Sequence, residues 1–274
     1  MLGAILGDIV GSRFEWLEWK SKKFVFLTGS NHFTDDSLMT LAIARAFVLH
    51  QGKWREADFQ QWVIESMLYV GRRFPRASWG ANFYKWLFEK SEPYGSWGNG
   101  AAMRVSSVGW IAESEEDVRY FSRLVTEVSH DHPEGIKGAE AVAMAIYLAR
   151  NGADMATIRH RMTEYYPRIE GMTVDNIRPG YCIDEQGGFI SCQGSVPEAI
   201  VCFLEATSTE DAVRNAISLG GDADTQAAIA GSMAEAYFGV PVELEDKILT
   251  YLTDELRSVY YSFDLIKKPR AVRA

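Results

Sequence analysis

Apolar residues recur at i, i+3, i+4 and i+7 along most of the chain, the spacing of one buried stripe on an α-helix. The pattern predicts helices over about 36–50, 56–70, 79–90, 100–112, 115–128, 134–150, 154–165, 196–206, 209–219, 225–238 and 242–258. Ser114-Glu115-Glu116-Asp117 and Ser208-Thr209-Glu210-Asp211 look like acidic helix starts. The segment from Glu134 carries Gly138, Ala139, Ala141, Ala143 and Ala145, small residues that suit a central, tightly packed helix. Residues 1–11 are apolar, and Gly3, Gly7 and Gly11 lie four apart, a smooth stripe that lets a second helix come close. Strand signals are confined to 23–27 and 188–192.

Two stretches break the periodicity. The run from Glu15 to Thr28 is aromatic and mixed in charge, a loop with broken helix lying over something. The region 166–195 is rich in Gly, Pro and Asp, and irregular segments of that length are often functional. The basic end, Lys267 to Arg273, reads as a frayed, solvated tail. With no fixed-period repeat and no linker, the expectation is an all-α protein, a single compact domain of stacked helices over 1–274.

The chain has 274 residues, 47% of them hydrophobic, enough to bury a large core. A net charge of −9 argues against a nucleic-acid surface. The odd set Cys182, Cys192 and Cys202 matches no metal or redox spacing and suits reduced thiols. The apolar start contains Asp8 and lacks a basic n-region, so it does not make a convincing signal peptide. No window reaches the ~18–20 apolar residues of a membrane span. A soluble cytoplasmic monomer with no membrane and no nucleic-acid partner is expected.

Chemistry enters with Thr34-Asp35-Asp36, which opens an apolar-periodic helix. One acid can cap a helix. A second beside it meets repulsion of about 4 kcal/mol at 4 Å and an effective dielectric near 20. Gly220-Gly221-Asp222-Ala223-Asp224-Thr225 repeats the arrangement at another helix start. Two such clusters suggest helix N-termini converging on shared hard cations, Mg²⁺, Mn²⁺ or Ca²⁺ rather than Zn²⁺. Asp8, a carboxylate in an apolar helix, needs a partner. Glu15 is open to two readings, a solvated loop acid or an acid over the metal site, and composition favours the first.

Gly95-Ser96-Trp97-Gly98-Asn99-Gly100 runs into a helix. Its free N–H groups could nest a phosphate, with Ser96 and Asn99 adding hydrogen bonds and Trp97 a stacking face. A plain loop leading into a helix fits equally. It is neither a Walker loop nor a dinucleotide fingerprint. In Ser129-His130-Asp131-His132-Pro133, the His-x-His pair lacks a third zinc ligand. His130 is read as facing a ligand and His132 as structural.

Taken in order, Gly3 to Asp8 with Phe14-Glu15, Phe33 to Ser37, Gly95 to Arg104, Ser129-His130 and Gly220 to Thr225 resemble the ADP-ribosylglycohydrolase family over residues 1 to about 240. The resemblance implies an all-α fold with two Mg²⁺ ions (or Mn²⁺) at the bottom of an ADP-ribose cleft. It implies Thr34, Asp35, Asp36, Asp222, Asp224 and Thr225 as metal ligands. Gly95, Ser96, Gly98 and Asn99 would cradle the diphosphate and distal ribose, with Trp97, Gly100 and His130 beside them. Glu15 matches the acid of a mobile loop, which reverses the composition-only preference, and is paired with Asp36 as a catalytic candidate. Ser37 and Ala223 depart from the family's usual residues, which bears on hydrogen bonding around the ligands rather than on the ligands.

The implied activity is Mg-dependent hydrolysis of the bond between ADP-ribose and an acceptor, on a protein or a small-molecule conjugate. The glycine stretch and His130 favour an O-linked, serine-type acceptor over arginine. A phosphoester hydrolase on the same metals lacks a basic group aimed at the phosphoryl. A non-catalytic homologue would have no reason to keep mutually repelling carboxylates.

Overall fold

The computed structural model describes residues 1–50, 52–182 and 188–271. Its spine is a pair of helices that the glycine stripe allows to touch. Helix α1 (Leu2–Gly11) runs antiparallel to α13 (Ala223–Phe238): Gly3 lies against Gly231, Gly7 against Ala227 and Gly11 against Asp224. A Cβ on Gly3 or Gly7 would fall 2.0 Å from the facing carbonyl oxygen, so backbone meets backbone here and no larger residue fits. The antiparallel sense brings the end of α1 to the start of α13.

Helix α2 (Asp35–Leu49) packs beside α1, with α3 (Phe59–Arg73) and α4 (Ala81–Phe88) outside it. Short α5 (Gly100–Met103) and α6 (Ser106–Ile111) lead to α7 (Glu115–Glu127) and to the long α8 (Pro133–Arg150). Helix α8 lies against α5, α6, α7 and α13, in the central position its small residues predicted. Helices α9 (Met155–Tyr165), α10 (Val174–Ile177), α11 (Cys192–Leu204) and α12 (Thr209–Ile217) follow, and α14 (Val242–Leu249) and α15 (Asp254–Asp264) close the chain. Ser114 and Ser208 cap α7 and α12, accepting from the amides of Asp117 and Asp211 at 3.1 and 3.0 Å. His132 Nδ1 caps α8, accepting from the Glu134 amide at 3.1 Å, so this histidine is structural.

Four expectations need correction. Among the described residues there is no strand: 23–27 pairs with nothing, while 188–192 makes a 3-10 turn and enters α11. Helix α11 begins at Cys192, ahead of Pro197, because the Gln193 carbonyl that Pro197 cannot serve accepts from Arg168 Nη2 at 2.7 Å. The single helix expected over 242–258 is two, since Thr253 caps α15 and Arg257 takes up the Leu249 carbonyl at 3.1 Å. The tail is docked through Ala271: the Lys268 amide bonds Trp110 O at 2.9 Å and the Ala271 amide Arg150 O at 2.7 Å. Val272 and Arg273 of that stretch, and 183–187 of the long irregular region, lie outside the described residues. Cys182, Cys192 and Cys202 form no disulfide, and burial pushes the Cys192 thiol up to about 12. No helix among the described residues is long and apolar enough to cross a membrane.

Candidate active site

Asp8 lies fully buried at the foot of the site. Its Oδ2 accepts the amides of Thr34 and Ser37, both at 3.0 Å, and its Oδ1 accepts the Thr34 hydroxyl at 2.7 Å. A carboxylate on α1 thus satisfies orphan donors at the start of α2 and meets the positive end of that helix. This is the partner its place in an apolar helix required. Ser37 uses its amide here, and its buried hydroxyl has no partner.

The two acid motifs meet above it. The Thr225 hydroxyl donates to Asp36 Oδ2 at 3.1 Å, joining the starts of α13 and α2. One carboxylate oxygen each from Asp8, Asp36 and Asp224 lies within 4.8 Å of the others, and Glu15, Asp222 and Asp224 form a second such group. Thr34 is buried against Asp8 and Asp36, and Asp35 lines the cleft above. Burial, followed by repulsion from Asp8 and Asp35, lifts Asp36 well above the usual carboxylate range. Asp224 is lifted by burial and by Asp222 and Asp36, and Asp35 by burial and by Asp8 and Asp222. At Asp222 burial is opposed by Asn99, whose Nδ2 donates to Oδ2 at 2.6 Å. Asp36 Oδ1 is buried without any partner. An orphaned carboxylate oxygen within an all-oxygen donor set fits a hard dication.

Glu15 stands over this cluster, its carboxyl raised by burial and by Asp222. Its Oε1 accepts the indole N–H of Trp16 at 2.7 Å. Trp16 has φ +63°, a left-handed conformation that costs a bulky residue about 1–3 kcal/mol. It is held by its amide on Gly221 O at 2.8 Å, and Leu17 O accepts the Gly221 amide at 3.1 Å. Gly220 and Gly221 both have positive φ, +80° and +75°, which aims Asp222 into the site.

The cleft has a volume of about 360 Å³. The acids form one end. The other is built by Gly80, Asn82 and Phe83 at the start of α4, by Tyr94, and by Ser96, Gly98, Asn99, Gly100 and His130. Gly95 and Trp97 do not line it. The segment from Trp97 to Asn99 pairs with 190–192 through Cys192 N–H to Trp97 O at 2.8 Å and Asn99 N–H to Ile190 O at 2.9 Å, and the Trp97 ring sits on His132 outside the cleft. The glycine turn also keeps fewer amides free than its sequence promised. Gly95 N–H bonds Asp131, Gly98 N–H bonds Ser96 Oγ, and the Asn99 amide is taken by Ile190.

Burial and the neighbouring Arg104 hold His130 well below the usual histidine value, so the imidazole is neutral. Arg104, Trp16, Phe83 and Tyr94 line the cleft without having been marked as site residues. The sequence shows Asp8 only as a charge in need of a partner. Nothing local singles out Phe83 or Tyr94, and Arg104 stood inside the glycine stretch with no role.

Fold and acid cluster together define an all-helical protein with a buried acidic centre that can hold metal ions. The chain belongs to the ADP-ribosylglycohydrolase family, whose sequence model matches residues 1–267. It is similar to ADP-ribosylhydrolase ARH3 of Mus musculus at 27% identity, over 88% of this chain and 83% of that one. Identity to the Homo sapiens ARH3 is 26%, over 88% and 84%. The ADP-ribosylarginine hydrolase Tri1 of Pseudomonas putida is 26% identical, over 90% and 72%. A solved chain described as an ADP-ribosylglycohydrolase-related protein complex shares the fold with a TM-score of 0.68 and 20% identity, over 97% of this chain and 96% of that one.

Proposed function

We propose that the protein releases ADP-ribose from an acceptor by Mg²⁺-dependent hydrolysis of the glycosidic bond, with an O-linked, serine-type acceptor favoured. The observation that carries the reading is the meeting of the two acid motifs at one end of a cleft whose other end holds the glycine turn and His130. Thr34, Asp35, Asp36, Asp222, Asp224 and Thr225 would hold two Mg²⁺ ions, which when bound polarise water and fix the distal ribose hydroxyls. Glu15, steadied by the Trp16 indole at the mouth, is the candidate to pass a proton to and from the leaving atom, with Asp36 positioning water. Phe83 and Tyr94 supply aromatic walls that exclude bulk water. Similarity to the relatives named ARH3 supports reversal of ADP-ribosylation.

An arginine-linked acceptor is the second reading. The half-exposed indole of Trp16, with a carboxylate bonded to its N–H, suits a planar guanidinium, and Tri1 is similar over most of this chain. The test is a matched pair of peptides ADP-ribosylated on serine and on arginine, incubated with Mg²⁺ or with EDTA, with free ADP-ribose quantified. Mg²⁺-dependent release from the serine peptide is the expected result, and release from the arginine peptide alone selects the second reading. No cleavage, with no rise in Tm from ADP-ribose, overturns both in favour of a non-catalytic role.

A further inference from the structure

Arg104 is fully buried between α5 and α6, and no carboxylate among the described residues pairs with it. Its Nη2 donates to Ser129 Oγ at 2.8 Å and, more weakly, to Thr126 O at 3.4 Å. The guanidinium lies 5.7 Å from the centre of the Phe83 ring, and Nε has no partner. Desolvating an unpaired charge costs several kcal/mol, so this cation calls for an anion. It is also the one cationic side chain lining the cleft among the described residues, against five acidic ones. The glycine turn offers an anion fewer donors than its length suggests, since three of its amides are spent within the protein.

Ser129 carries the effect forward. Its Oγ is 2.8 Å from Arg104 Nη2 and 2.8 Å from His130 Nδ1. Arginine has no acceptor, so Oγ accepts from it, and its own hydrogen is free to point at Nδ1. A neutral imidazole that accepts at Nδ1 bears its hydrogen on Nε2. That atom faces the turn: a Cβ would lie 3.1 Å from it on Gly100 and 3.5 Å on Gly98. No protein acceptor among the described residues takes its hydrogen.

We propose that Arg104, Ser129 and His130 form a relay that presents one fixed Nε2–H donor, backed by one buried positive charge, to a diphosphate lying where Ser96, Gly98 and Gly100 line the cleft. Arg104 and Ser129 are positioning residues that act through His130. The place of the diphosphate belongs to the ADP-ribose reading above, on which the proposal rests; what is added is the pair Arg104 and Ser129 that fixes the His130 donor.

The test needs the full chain, with a Ser129→Ala variant and the pair Arg104→Lys and Arg104→Met. Histidine ¹⁵N shifts, assigned with a His130→Asn variant, should show the Nε2–H tautomer in the wild type and a mixed population in Ser129→Ala. Calorimetry should show ADP-ribose binding weakened about three- to tenfold by Ser129→Ala, with the Mg²⁺-induced rise in Tm unchanged. Where the Arg104 variants fold, lysine should retain more ADP-ribose affinity than methionine. An Nδ1–H tautomer in the wild type overturns the relay, as does Ser129→Ala that leaves ADP-ribose affinity intact or reduces the Mg²⁺ response equally. A wild type that shows the expected tautomer yet does not bind ADP-ribose overturns the diphosphate assignment and the parent reading while leaving the hydrogen-bond chain standing.

Discussion

Asp36 accepts the Thr225 hydroxyl hydrogen on one oxygen, has nothing on the other and lies among Asp8, Asp35 and Asp224. Removing its charge should therefore stabilise the metal-free protein. Asp36→Asn is expected to raise the EDTA-treated Tm by about 2–6 °C, the equivalent of about 1–2 kcal/mol for a chain of this size. The same variant should lose most of the rise that Mg²⁺ gives the wild type. A lower metal-free Tm would show that the carboxylate is not under repulsion. The pH response follows from the raised carboxyls of Asp35, Asp36 and Asp224. The folded state holds protons that the unfolded chain has released. Their stabilisation is complete below the unfolded value near pH 4 and is lost as pH rises through the folded values. The EDTA-treated Tm should fall as pH is raised beyond the ordinary carboxylate range, while the Mg²⁺-induced increment grows. An increment that shrinks with pH would contradict this, and calorimetry at each pH decides it.

Two helices set the spacing of the acids, because α1 carries Asp8 and α13 carries Asp224. Gly7→Ala would drive a Cβ to 2.0 Å from Ala227 O and force the pair apart. It should cost about 1–3 kcal/mol or more and blunt the Mg²⁺ response as well. Gly29→Ala, with nothing within 4 Å, should stay within about 0.5 kcal/mol in the same denaturation assay. Much at this scale was legible beforehand: the apolar stripes gave the long helices, the glycine stripe marked α1, and two Asp/Thr starts marked the acidic end of the cleft. The misses share a cause, a distant partner. Pro197 is tolerated in α11 because Arg168 serves Gln193 O, and α14 stops where Arg257 folds back on Leu249. The turn at Gly95 loses amides to Asp131 and Ile190, residues that local spacing cannot connect to it.

For the whole molecule, the division of labour between core and site predicts what metal removal does. The α1–α13 contact and the packing around α8 are made by backbone and by apolar or small side chains, Asp224 meeting Gly11 through its backbone rather than its carboxylate. EDTA should leave the far-UV circular dichroism at 25 °C within about a few per cent of the Mg²⁺-loaded protein while lowering Tm, since binding adds stability by mass action without building the helices. A loss of helical signal on chelation would mean that the cations hold the fold together. The docked tail belongs to the same frame: Arg270 reaches Tyr237 O at the end of α13 at 2.9 Å, and Ala271 closes on Arg150 at the end of α8.

The hydrogen bond from Asn99 to Asp222 ties the glycine turn to the acid cluster. A ligand that settles on the turn and holds Asn99 would through it hold a carboxylate that could bind a cation. The two occupancies are then reciprocal, since any factor by which a cation tightens the nucleotide sugar must equal the factor by which the nucleotide sugar tightens the cation. At cation concentrations near its own dissociation constant, such an enzyme would follow the supply of its substrate and of the metal as one combined signal.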